Sequence, residues 1–217
     1  TLYLTIASLF SITESWDQSE AYAERARRLA AASKNWSGVA LAIRVSAELV
    51  GRVPPERVIE QAQAQLPLCR AAGDHTAVFG LVYACGRAAF AARQFEQAEE
   101  YFREAMDLRS RHPIARGSHI GLLLWVAEVL FARSRLVQDP KEKQRLKKES
   151  IRFQKKARKE TNMFIDLGRF RIMNMKARFL YDEGKVKAAE SLWRNAVGFA
   201  AGLYSENDMA LLLSDFA

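Results

Sequence analysis

Proline and glycine are scarce in this chain, five and eleven in 217 residues, which argues against a fold built from short strands and tight turns. Cysteine occurs twice, as Cys69 and Cys85, inside helical patterns and with no CxxC or histidine-spaced companion. That usage argues against a disulfide scaffold or a zinc site, and two buried, reduced thiols are expected. Long apolar runs are missing too. Uncharged runs such as "GLLLWVA" from Gly121 fall short of the roughly 20 residues a membrane span needs. The expected location is the cytoplasm.

Catalytic signatures are equally absent. There is no GxxxxGK[ST], no GxGxxG after a strand, no HExxH and no nucleophile elbow. The three histidines, His75, His112 and His119, stand at or near helix boundaries and read as caps or surface residues. Adjacent carboxylates such as Glu99 and Glu100 point to different faces of one helix and read as solvated. The "NWS" sequon at Asn35 has no secretory context. No enzyme activity, cofactor or metal is expected of these residues. Thr1 opens directly into "TLYLTIASLF" with no basic leader, so the chain reads as a piece of a longer protein.

What is present is helix. The sequence is 49% hydrophobic, with apolar residues recurring at three- and four-residue spacing and no strand-length alternation. Breaks are expected near 33–38, 51–55, 71–75, 110–113, 137–140 and 204–208, where helix-stop and helix-start residues gather. Shorter turns fit "TESWDQ" (13–18), "ARQF" (92–95) and "DEGK" (182–185).

A repeat emerges from this pattern. "GRAAFAARQFEQAEEYFREAM", from Gly86, aligns without a gap on "ARFLYDEGKVKAAESLWRNAV", 91 residues later. Gly86 matches Ala177, Arg87 matches Arg178, Phe90 matches Tyr181 and Phe95 matches Val186. Ala98, Phe102 and Ala105 match Ala189, Trp193 and Ala196. Residues three and four apart share a helix face, so two short side chains flank one large ring and admit a neighbouring helix close to it. Looser copies are Ser19, Ala23, Ala26; Ala62, Leu66, Cys69; and Ser150, Gln154, Ala157, of which the last fits worst. Intervals between equivalent residues run 43, 36, 52 and 39.

These units resemble tetratricopeptide repeats, which carry a small residue in helix A and an Ala, aromatic, Ala pattern in helix B. The long, irregular intervals are similar to the C-terminal solenoids of large signalling ATPases and soluble adenylyl cyclase-like proteins. The resemblance implies an all-α, right-handed α-solenoid of about five helix pairs, 1–33, 36–72, 76–110, 115–161 and 164–202, with a C-terminal helix over 206–217. It also implies a protein–protein interaction or intramolecular scaffold role in signalling. The residue after the small one in helix A faces the concave surface in that family, here Arg87 and Arg178, with Tyr83, Asn174 and Arg171 at neighbouring turns. An acidic or phosphate-bearing protein segment, or another domain of the same chain, is the expected partner. Pairing of the arginines with acidic neighbours such as Glu183 is the equally weighted alternative. The lysine and asparagine set that clamps a C-terminal carboxylate in some family members is not reproduced.

Charge gathers in one place. Of the net +8, residues 141–160 carry +7, ten Lys or Arg against three Glu. Lys147, Lys148, Lys155 and Lys156 represent this basic patch. It reads as a solvated helix face, with RNA or acidic-partner binding and contact with acidic lipids as the alternatives, and as dispensable for folding.

Overall fold

The computed structural model describes residues 16–47, 53–114, 116–160 and 169–200. Among them are nine α-helices and no strand: α1 (Trp16–Ala32), α2 (Trp36–Ser46), α3 (Pro55–Ala71), α4 (His75–Ala91), α5 (Phe95–Arg111), α6 (Arg116–Leu136), α7 (Pro140–Glu160), α8 (Arg169–Asp182) and α9 (Val186–Ala200). The chain is all-α. The expected helices before Trp16 and over 206–217 lie outside the described residues.

Helix boundaries follow local chemistry. Asn35 caps α2 by accepting from the Gly38 amide at 3.0 Å, and Asp74 caps α4 by accepting from Ala77 at 2.9 Å. Asp139 does the same for α7 through the Lys141 amide. The sequon asparagine is thus occupied as a cap. Pro55 opens α3, where its missing amide is harmless.

Four of the connections are one turn repeated. Lys34, Gly73, Arg93 and Gly184 all adopt positive φ, between 54° and 75°. In each, the following amide reaches back to a carbonyl five residues earlier: Asn35 to Ala30, Asp74 to Cys69, Gln94 to Ala89 and Lys185 to Leu180, at 2.8–3.1 Å. This is the Schellman ending, and it reverses the chain within three residues.

Packing is between chain neighbours. Each described helix contacts the next, and the alternate helices α2, α4, α6 and α8 also touch in sequence. One continuous core runs from Ala30 to Phe179, and a smaller one holds Ala177, Ala189, Trp193 and Ala196. All five copies of the sequence pattern are buried at all three positions, the poorest included: Ser150 is 0% exposed, Gln154 7% and Ala157 0%. Ser150 is accommodated because its hydroxyl donates to the Ala127 carbonyl at 2.7 Å, across to α6.

The tightest contact explains Gly86. A Cβ there would stand 2.6 Å from the Phe102 ring, which is itself held by Tyr83 and Trp125, with ring centroids at 5.8 and 6.1 Å.

Two stability outcomes follow from these geometries. Gly86→Ala gains about 1 kcal/mol of helix propensity but overpacks a ring that cannot retreat, at about 1–3 kcal/mol. A lowered melting temperature is expected, and an unchanged or raised one would refute the close approach. Arg93→Gly relieves a left-handed residue that is exposed and should stabilise by about 1 kcal/mol, read as a higher urea midpoint at constant slope.

Candidate functional site

Helices α4 and α8 carry the expected arginines Arg87 and Arg178, both against α6, and their surroundings differ. On α4, Tyr83 is half-buried, its ring against Phe79 and Phe102. Arg87, one turn on, lies over Trp125 of α6 at 4.9 Å from the ring centroid. Trp125 is in turn edge-on to Phe90 at 5.3 Å. On α8, Arg178 donates to Glu128 of α6 at 2.9 Å and lies 4.9 Å over Phe131. Trp125, Glu128 and Phe131 are three residues apart on α6, so they form one stripe that meets both arginines from opposite sides.

One expectation is corrected here. The acidic neighbour of Arg178 is Glu128; Glu183 pairs with Lys185 instead, at 2.8 Å. Asn174 also has a structural role, since its Oδ1 accepts from the Trp193 indole at 2.6 Å and joins α8 to α9. Trp193 is buried, so its N–H needs that acceptor. The Arg171 side chain lies outside the described residues.

The basic segment divides by face. Leu146, Ser150, Phe153, Gln154 and Ala157 bury one side of α7, which makes the helix part of the core and not a dispensable appendage. Lys147 belongs to a flank: only 16% of its side chain is exposed, 3.5 Å from Asp182 of α8. On the other flank, Arg145 pairs with Glu142 and Glu149, and Arg103 of α5 reaches Glu149 at 3.0 Å. Lys148, Lys155 and Lys156 are exposed. With Ile151, Arg152 and Lys159 they line an open groove of about 520 Å³.

Glu99 and His119 were misjudged by sequence. Glu99 is buried, between Arg103 and Arg133. A carboxylate at that depth requires such partners. No local pattern marks it, since Arg133 is 34 residues away on α6. His119 is also buried, with Nε2 3.1 Å from Glu160. Burial pushes its pKa below 6.5, Arg109 adds to that, and Glu160 opposes it. His75 and His112, by contrast, stack face to face near the surface at 3.5 Å.

The thiols are as expected, free and buried. Burial pushes Cys85 up to about 12, so it carries no nucleophile. Among the described residues no group of three or more His, Cys, Asp or Glu could hold a metal, and no helix is long and apolar enough to cross a membrane.

No protein-family model matches the chain, and no curated protein matches it significantly.

The buried histidine sets a pH dependence. The folded pKa lies below the unfolded one, so the unfolded chain binds the proton more readily. The contribution is present above the ordinary value of 6.5 and is lost as pH falls through it. Melting temperature should drop between about pH 7.5 and 5.5, and His119→Gln should flatten that drop. Parallel pH profiles for parent and variant would show that His119 is not the titrating group.

Proposed function

We propose that the chain is a protein-interaction or intramolecular scaffold module, built as a right-handed α-solenoid of tetratricopeptide-like pairs. The observation that carries the reading is the burial of the same i, i+4, i+7 positions on α1, α3, α5, α7 and α9, with a large side chain at the middle one on all but α1. Those helices alternate with α2, α4, α6 and α8, which touch one another in order. Such stacking leaves a continuous face along one set of helices, and that face is a docking surface in proteins of this architecture. A cytoplasmic setting in a larger signalling protein fits the reading.

Along this face the chain offers Tyr83, Arg87, Trp125, Glu128 and Arg178. Arg178 is neutralised by Glu128, so the face is of mixed sign around an aromatic centre. A protein segment that places an apolar or aromatic side chain near Trp125 and a carboxylate near Arg87 suits it.

The test changes the face without leaving a half-buried charge alone. Arg87→Ala combined with Glu128→Gln and Arg178→Gln, with the fold checked by circular dichroism, should reduce capture of a partner from the source cell by about tenfold. Arg70→Ala, on α3 and paired with Glu104, should leave capture unchanged. Unaltered capture by the triple variant would withdraw the inner face from the mechanism.

A further inference from the structure

The outer face of α7 is a separate feature. Lys148, Arg152, Lys155 and Lys159 follow at i, i+4, i+7 and i+11, which stacks them along one line of the helix over about 16 Å. All four are exposed, and the line lies opposite Leu146, Ser150 and Ala157, which are fully buried. Lys156 stands on one edge of the line and half-buried Ile151 on the other, and together the six line the open groove.

On the flanks of α7 two cations are matched within the chain. Arg145 has Glu142 and Glu149, and Lys147 has Asp182. On the outer line, Arg152 reaches Glu149 only at 3.9 Å, and among the described residues no carboxylate lies within ion-pair distance of Lys148, Lys155, Lys156 or Lys159. Cations one turn apart repel and weaken the helix that carries them. Anions from outside the chain would remove that repulsion.

The lining also says which anion. Lysine stems are methylenes with a charged tip, and beside Ile151 they make apolar walls with a cationic rim. A phosphodiester strand brings no side chain for such walls, and no aromatic ring lines the groove to stack a base. An amphipathic protein helix brings both parts: carboxylates repeated once per turn, and an apolar side chain between them. We infer that the outer face of α7 is a docking site for an acidic amphipathic helix of a partner protein, seated along Lys148, Arg152, Lys155 and Lys159 with an apolar side chain against Ile151.

This site does not depend on the inner face, and the experiment separates the two. A fluorescein-labelled peptide of about 18 residues, long enough to form a helix, carries Glu at i, i+4, i+7 and i+11 with Leu between them. Its binding to the whole chain is followed by anisotropy at about 0.15 M salt. Saturable binding is expected, weakened about tenfold or more by Lys148→Glu with Lys155→Glu. Lys141→Glu with Lys143→Glu makes the same charge change on the same helix outside the groove and should alter binding less than about twofold. Glu128→Gln with Arg178→Gln should not alter it at all. The proposal is overturned by no binding, by equal binding of a scrambled peptide of the same composition, by equal loss in the Lys141/Lys143 variant, or by loss in the Glu128/Arg178 variant. It is also overturned if oligouridine binds more tightly than the peptide and loses affinity in the Lys148/Lys155 variant, which would make the groove a nucleic-acid site.

Discussion

Phe102 lies so close to the backbone of Gly86 that no side chain fits between them, and much of the middle of the molecule depends on that approach. The ring fills the space between α4 and α5 and leaves Tyr83 and Trp125 to pack on its two sides. Trp125 in turn lies beneath Arg87. A small residue on one helix therefore fixes the distance between axes, the distance positions a ring, and the ring positions a cation on the exposed side. The last pair keeps the logic with other residues. Ala177 shares a core with Trp193, whose indole N–H is received by Asn174.

Charge is the second constraint, and depth decides where it matters. Exposed pairs such as Arg70 with Glu104 contribute little. Glu99 is different, because a buried carboxylate without Arg103 and Arg133 would cost several kcal/mol. From it a chain of pairs runs through Arg103 to Glu149 and on to Arg145 and Glu142, and so ties α5, α6 and α7 along one seam. Two of the three carboxylates of the basic helix, Glu142 and Glu149, are engaged on that seam, and the third, Glu160, faces His119.

Much of the helical layout was legible in the sequence because its signals are local. Asn35, Asp74 and Pro55 mark helix starts, Gly73 and Gly184 mark left-handed turns, and three- and four-residue apolar spacing marks buried faces. Arg93 shows the limit, since a left-handed arginine carries no such signal and the turn was legible only from its neighbours. The poorest repeat copy, at Ser150 and Gln154, was hidden for a related reason. Its serine is buried because a carbonyl 23 residues away accepts its proton, and pattern reading scores only the side chain's own polarity. Glu99, His119 and Lys147 were misplaced for the same cause: each is defined by a partner on another helix.

The two arginines of the inner face make that limit concrete. Arg87 and Arg178 hold equivalent places, each one residue past the small residue of its helix, and sequence reasoning gave them one role. Between them stands α6, which has no equivalent symmetry and presents a different face to each side. It offers Trp125 to Arg87, and Glu128 with Phe131 to Arg178. Arg87 thus meets a ring, whereas Arg178 meets a ring and a carboxylate that offsets its charge within a half-buried site. A repeated residue thus enters two different chemical settings through the helix that stands between the copies. Equivalent places in a repeat therefore fix where a side chain stands, and the neighbouring helix decides what it meets.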